Sequence, residues 1–308
     1  MRIAIIGDYA SQNFLIGKEL EECNFDITYF LQSNIYSRMP LNYHKLGGVQ
    51  GPLLKNYFLT SFWMIFGKLF KKFDIQQING TYPKCTRSKY TSYHFHGSEI
   101  RLGVVKPKYP SFVSLRELLK ISDKSIFLPR CADPIFFTQN IEVKENKEIF
   151  KNEKGYDFII GHFAPSPEVK GSHFLEEAIE SINEENEYNI HLINQTYPRE
   201  KMPEMMNFCD LVVDHINPKM GSTYNVITIE SLFCEVPAAS YYDENIDFEV
   251  MKSFVGYLDP EIDELKSNLL SILKSKKKVD RDAVLRYHSP RNVTDKVLSV
   301  WVDWGFTD

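Results

Sequence analysis

The feature that most narrows the possible folds is an alternation of two patterns. Short β-rich runs bounded by turn residues occur at 2–6, 26–30, 74–78, 92–96 and 125–128, and again at 156–160, 189–193, 211–213 and 237–240. Helical patterns lie between them; within 172–182, Leu175, Ala178, Ile179 and Ile182 recur on one face. Parallel neighbours cannot be joined by a tight hairpin and need a crossover, normally a helix, so short strands separated by helices point to parallel α/β sheets. The runs form two groups. Between them the stretch NIEVKENKEIFKNEK at 140–154 is polar, charged and poor in core residues, which places a domain junction there. Two α/β halves in tandem are expected, 1–145 and 146–288, followed by a final amphipathic segment at 289–308.

A chain of 308 residues can bury two cores of ordinary size. With 43% hydrophobic and 25% charged residues it has the composition of a globular protein, which excludes global disorder. The net charge of −5 supplies no general basic field, so no nucleic-acid partner is expected. The five cysteines, Cys23, Cys85, Cys131, Cys209 and Cys234, are scattered and lack C-x-x-C spacing, as suits a reducing cytoplasm. The start MRIAIIGDYA lacks the charged and long apolar regions of a signal peptide and reads as a first buried strand. No run reaches the roughly 18 apolar residues of a spanning helix. The nearest, YFLTSFWMIFGKLF at 57–70 before Lys71 and Lys72, reads as a buried helix covering a sheet. The alternative is an interfacial helix making peripheral contact with the inner face of the cell membrane. The basic run KSKKK at 274–278 reads as a solvated face.

The stretch GHFAPSPEVKGSHF at 161–174 falls at the first strand-to-helix turn of the second half. Ligands of such folds gather at the carboxyl ends of strands, where a helix start offers free N–H groups to an anion. Gly161 and Gly171 let the backbone turn and approach a ligand closely, and Lys170 adds a positive charge. A diphosphate is the expected guest, against the plainer reading of a surface lysine before a helix. The spacing is neither G-x-G-x-x-G nor a Walker loop, so no dinucleotide cofactor or ATP hydrolysis is indicated. A second constellation, DLVVDHINPKMGSTYNVITIESLFCEVPAAS at 210–240, reads as strand, loop, helix and strand, with Gly221 opening the helix and Glu230 inside it.

Taken together, these segments resemble the donor domain of GT-B glycosyltransferases, specifically the retaining glycosyltransferase family 4 (glycosyl transferases group 1), which includes sucrose synthases and mannosyltransferases. The helix segment ESLFCEVPAA, from Glu230 to Ala239, resembles the family's E-A-x-A-x-G-x-P-V. The resemblance implies a GT-B architecture of two Rossmann-like domains facing each other across a cleft, with the carboxy-terminal helix crossing back to the first domain. It implies that Lys170 binds the donor diphosphate and Glu230 accepts from the ribose hydroxyls. Gly7, Gly161, His162, Gly171, Gly221, Ser222, Thr223, Tyr224 and Asn225 complete the implied donor site. Ser222 stands where the family places a sugar-binding glutamate, and the arginine usual ahead of the lysine is missing.

In the first half, HGSEIR from His96 to Arg101 resembles the family's H-G-S-D-x-R, whose histidine lies near the donor sugar. LPRCADPIFF from Leu128 to Phe137 resembles L-P-N-x-x-D-x-x-x-F, and the loop after Gly7 would face donor phosphate and acceptor. His96 joins Lys170 and Glu230 as a candidate catalytic residue. Asp8, Tyr9, Ser11, Glu99, Arg101 and Arg130 are candidate sugar or acceptor contacts.

His94 and His96 share one face of a strand, but Glu99 is their only near carboxylate. Asp280 and Asp282 superficially resemble a D-x-D metal site, yet their place at a helix start argues for capping. No protein-bound metal and no cofactor are therefore expected beyond a nucleotide-diphosphate sugar as donor substrate. The implied reaction moves the sugar to a hydroxyl of a glycan or lipid-linked acceptor, with retention. A catalytically weak binding or partner module on the same fold stays open, as does a nucleotide-sugar epimerase or hydrolase.

Overall fold

The computed structural model describes residues 1–7, 12–32, 43–46, 72–80, 87–96, 109–185, 187–220, 223–243, 254–275 and 278–307. The segment 57–70 with Lys71, and the candidate residues Asp8, Tyr9, Ser11, Glu99, Arg101, Gly221 and Ser222, lie outside the described residues. The chain forms two compact units, Met1–Cys131 with Pro290–Asp308, and Ala132–Ser289.

The first unit is built on a seven-stranded sheet among the described residues. Its strands are β1 (Arg2–Ile6), β2 (Asp26–Gln32), β3 (Tyr43–Leu46), β4 (Lys72–Asn79), β5 (Arg87–Phe95), β6 (Ser111–Val113) and β7 (Ser125–Phe127). They lie in the order β3-β2-β1-β4-β5-β6-β7, every pair parallel. Alternation along β1 decides its two faces. Ile3 and Ile5 pack with Phe14, Leu15 and Leu20 of helix α1 (Gln12–Glu22) and with Val293, Val297 and Trp301 of the carboxy-terminal helix. Ala4 and Ile6 pack on the other face with Phe30, Phe73 and Ile78.

The second unit carries β8 (Phe158–Gly161), β9 (Ile190–Ile193), β10 (Leu211–Val213), β11 (Ala238–Ser240) and β12 (Val255–Tyr257) in the order β12-β11-β10-β8-β9, again all parallel. The polar stretch expected to be a junction is instead helix α2 (Ile141–Lys154). Asn140 caps it by accepting from the Val143 N–H, and Gly155 ends it at φ 71°. Its polarity misled because α2 docks through charge: Lys147 Nζ sits 2.7 Å from Asp210 Oδ1, and Lys151 Nζ 3.2 Å from Asp210 Oδ2. The compact units therefore change over between Cys131 and Ala132.

Further along are α3 (Ser172–Glu184), α4 (Met202–Asn207), α5 (Val226–Phe233), α6 (Ile262–Ser275), α7 (Arg281–His288) and α8 (Pro290–Asp303). The α3 face expected from periodicity, Leu175, Ala178, Ile179 and Ile182, is buried with Ile160, Leu211 and Val213 of the sheet and Leu265, Leu269 and Leu273 of α6. Asp280 accepts from the Ala283 N–H at 2.9 Å, so it caps α7. Among the described residues no helix is long and apolar enough to cross a membrane.

Candidate functional site

The strand order of the second sheet reverses between β8 and β10. Loops leaving the carboxyl ends of such a pair run to opposite sides, and the crevice between them is where open α/β sheets bind ligands. One loop starts at Gly161, where a Cβ would lie 2.6 Å from Cys209 Sγ and from the Phe163 ring, so close packing forces glycine. His162 is fully buried, with Nδ1 2.9 Å from the Val213 carbonyl and Nε2 2.8 Å from Ser172 Oγ. A carbonyl only accepts, so Nδ1 carries the proton and Nε2 accepts from the serine hydroxyl. Burial lowers the His162 pKa and keeps the ring neutral. Both nitrogens tie the loop to β10 and α3.

Pro167–Lys170 makes a single helical turn, closed by Gly171 at φ 79°. Gly171 is then the N-cap residue of α3, which has no side-chain cap. Helix α5 likewise starts at Asn225 without one. Uncapped first-turn N–H groups keep their capacity to bind an anion. The two loops are laced together, since Ile216 N donates to Lys170 O at 3.0 Å and Asn217 Nδ2 to Val169 O at 3.0 Å.

Asp214, just past β10, is the hub of this corner. It is 2% exposed, and its Oδ1 lies 2.7 Å from Lys170 Nζ. Asn225 Nδ2 also donates to Oδ1 at 3.1 Å, while Oδ2 accepts from the Asn225 N–H and from Thr228 Oγ1 at 3.1 Å. Burial raises the Asp214 pKa. The Lys170 ammonium, the His215 imidazole and the bonds from Lys170 and Asn225 outweigh burial and hold the carboxyl well below the usual range. The carboxylate thus fixes both the Lys170 side chain and the start of α5.

Glu230, inside α5, is 2% exposed, with Arg199 Nη1 2.5 Å from its Oε1. Burial pushes its pKa up, and the Arg199 guanidinium opposes the shift without cancelling it. Arg199 lies in the turn after β9, 4.6 Å from the Phe137 ring centroid. The carboxylate expected to face a ribose is therefore already engaged by a guanidinium that retains some solvent access. Tyr224 is anchored next to Asn225 by its hydroxyl, 2.6 Å from His288 Nε2. Thr223 adjoins it and is half-buried.

In the first unit the strand order reverses between β1 and β4. Gly7, at φ 74°, ends β1 and donates to the Phe30 carbonyl at 2.8 Å. His96 follows β5 and is 6% exposed, with its Nδ1 3.3 Å from Ser114 Oγ. Arg130, expected to meet sugar or acceptor, is also 6% exposed and donates to the His96 carbonyl at 3.1 Å. The paired rings of His94 and His96 are 4.1 Å apart. Among the described residues no group of three or more His, Cys, Asp or Glu side chains is arranged to hold a metal ion.

The structure thus gathers Gly161, His162, Lys170, Gly171 and Asn225 at one corner of the second unit, with Glu230 further along α5. Gly7, His96 and Arg130 belong to the first unit. Sequence reasoning missed Asp214, Thr228 and Arg199. Asp214 directly follows the apolar strand run of the second constellation, whereas Arg199, alone in a loop, offered no signal.

No protein-family model matches the chain, and no curated protein matches it by sequence. Solved structures do match. Sucrose-phosphate synthase from Thermosynechococcus elongatus superposes with a TM-score of 0.66 at 12% identity, covering 99% of each chain. Anabaena HepE, solved with UDP and glucose, gives 0.64 at 10% identity over 98% of this chain and 99% of its own. A glycosyltransferase from Rickettsia africae gives 0.65 at 11%, covering 98% of this chain and 97% of that one. The fold is that of the GT-B glycosyltransferases.

Proposed function

We propose that this chain transfers a sugar from a nucleotide-diphosphate sugar to a hydroxyl acceptor, a glycan or lipid-linked glycan, with retention at the anomeric carbon. The observation that carries the reading is the Lys170–Asp214 pair, set at the β8/β10 reversal between two helix starts that lack side-chain caps. In the reaction the bond from the anomeric carbon to the diphosphate breaks, its electron pair leaving on the diphosphate oxygen. The acceptor oxygen forms the new bond and gives up its proton. Charge grows on the diphosphate in an oxocarbenium-like transition state, and fixed donors stabilise it without reorganising. A lysine ammonium has three donors and Asp214 takes one, so Lys170 is oriented by the carboxylate to serve phosphate oxygens with the others. Glu230 and Arg199 take the ribose end as a unit.

UDP is the first probe, because three HepE structures carry UDP or UDP-glucose. Calorimetric titration should show Lys170→Ala weakening UDP by about 5- to 150-fold, the equivalent of about 1–3 kcal/mol for a lost charge-assisted bond. Uridine affinity should stay unchanged. Equal UDP affinity in wild type and variant would overturn the diphosphate assignment. With a panel of UDP-sugars, acceptor-dependent release of UDP supports a transferase. Acceptor-independent turnover points to hydrolysis or epimerisation, and binding without turnover to a binding module.

A further inference from the structure

The two carboxylate oxygens of Glu230 are not equivalent. Oε1 is fully buried and lies 2.5 Å from Arg199 Nη1, whereas among the described residues no hydrogen bond reaches Oε2. Aromatic rings back the guanidinium, whose central carbon is 4.6 Å from the Phe137 centroid and 5.9 Å from that of Phe136. A cation stacked in this way is held in place rather than swept through solvent. All four residues belong to the second unit.

We infer that Arg199 is the positioning residue through which this site prefers ribonucleotides to deoxyribonucleotides: it occupies Oε1 and leaves Oε2 to accept from a ribose hydroxyl. The inference rests on the reading that Glu230 meets the ribose of the donor nucleotide. It adds to that reading what makes the glutamate selective.

Charge state decides whether the arrangement works. A carboxylate only accepts, and the bond it takes from a hydroxyl is a strong one; a protonated carboxyl carries its own O–H and accepts more weakly. Burial pushes the Glu230 pKa up, and the Arg199 guanidinium is what opposes it. Other groups around α5 do not take its place. Asp214, ahead of the helix, raises the Glu230 pKa further. Burial pushes the Cys234 thiol up to about 12, so it stays neutral. His215 is bonded to Ser240, and His288 of α7 to Tyr224. Arg281 of α7 donates to the Phe233 and Pro134 carbonyls, Lys144 of α2 donates to the Glu235 carbonyl, and Glu204 of α4 pairs with Lys201. Without the guanidinium, Glu230 therefore takes up its proton at a higher pH, and the preference for ribose is lost as pH falls through that value.

Calorimetric titration of UDP and of 2′-deoxy-UDP into the full-length protein, from about pH 6 to about pH 8, tests this. Wild type should favour UDP by about tenfold or more throughout, the worth of one charge-assisted hydrogen bond. In Arg199→Met, which keeps an apolar stem against Phe137, the preference should shrink to about threefold or less at the acid end and grow as pH rises. Arg199→Gln should behave alike, so the test does not hang on one variant folding. Arg199→Lys, which restores a cation, should recover most of the wild-type preference. Adding Glu230→Gln to Arg199→Met should abolish the pH slope, because the titrating group is gone. A preference in Arg199→Met that equals wild type and stays flat with pH would overturn the inference, as would a slope that survives Glu230→Gln. If wild type binds UDP without distinguishing it from 2′-deoxy-UDP, the ribose assignment of Glu230 fails and this inference falls with it, while the diphosphate assignment of Lys170 stands. Binding of neither ligand to wild type would refute the UDP reading itself.

Discussion

Replacing Asp214 with alanine should be among the most costly single substitutions in the second unit. The carboxylate is 2% exposed and takes four contacts, from Lys170 Nζ, Asn225 Nδ2, Asn225 N and Thr228 Oγ1. Truncation strands the Lys170 ammonium, whose side chain is only 14% exposed. Breaking one half of a buried pair costs about 3–5 kcal/mol, and the loss of partners at the start of α5 adds to it. Lys170→Met should cost less, because Asp214 keeps its bonds from Asn225 and Thr228. The Asp214→Ala/Lys170→Met double variant should be more stable than the sum of the two losses, by about 1–3 kcal/mol of coupling. Urea unfolding of the four proteins, followed by far-UV circular dichroism with slopes checked for constancy, measures the cycle. An Asp214→Ala loss below about 1 kcal/mol, or additivity within about 0.3 kcal/mol, would refute the view that this pair organises the corner.

Glycine at 171 can be separated from glycine at 155, since both adopt positive φ but a Cβ at 171 would meet Asn217 N at 3.1 Å whereas one at 155 meets nothing within 4 Å. Gly155→Ala should cost about 1 kcal/mol from backbone strain alone, and Gly171→Ala more, with weaker UDP binding; equal costs would remove crowding from the account. Below neutral pH the buried histidines should govern stability. The folded pKa values of His94, His96 and His162 lie below the ordinary 6.5, so the unfolded chain takes up protons first and stability falls as pH falls through 6.5. His94, whose folded value is about 3, should contribute about 1 kcal/mol of loss between pH 6.5 and 5.5; His96 and His162 act in the same direction, and the raised Glu230 carboxyl in the opposite sense. Urea midpoints that stay flat over that interval would contradict the burial of neutral rings, and His94→Asn should flatten the slope by one ring's share. At the other end of α5, Arg199→Ala leaves Glu230 buried beside no guanidinium, and a loss of about 2 kcal/mol is expected. Glu230→Gln added to that variant should restore most of it, as thermal or urea unfolding would show.

Much of the backbone plan follows from local chemistry that a sequence carries openly. The apolar run of β1 and the face of Leu175, Ala178, Ile179 and Ile182 on α3 appear where their periodicities place them, because burying one face is favourable whatever lies opposite. The positions of Gly161, Lys170 and Gly171 at a strand-to-helix turn were equally legible. Not every strand was: β3, β6 and β12 were not marked, although β7, β10 and β11, equally short, were, and the three missed ones are held as strands by pairing with their neighbours. Helix α2 was misread as a junction for a related reason. Its hydrophilic sequence is stabilised by Asp210, sixty-three residues from Lys147, and pairing at that separation leaves no local trace. The same holds for function. Sequence could mark Lys170, Glu230 and His96 by residue type and resemblance, but it could not show that Asp214 holds the lysine or that Arg199 covers the glutamate. Those assignments depend on which loops the parallel crossovers bring side by side, and only the tertiary structure decides that.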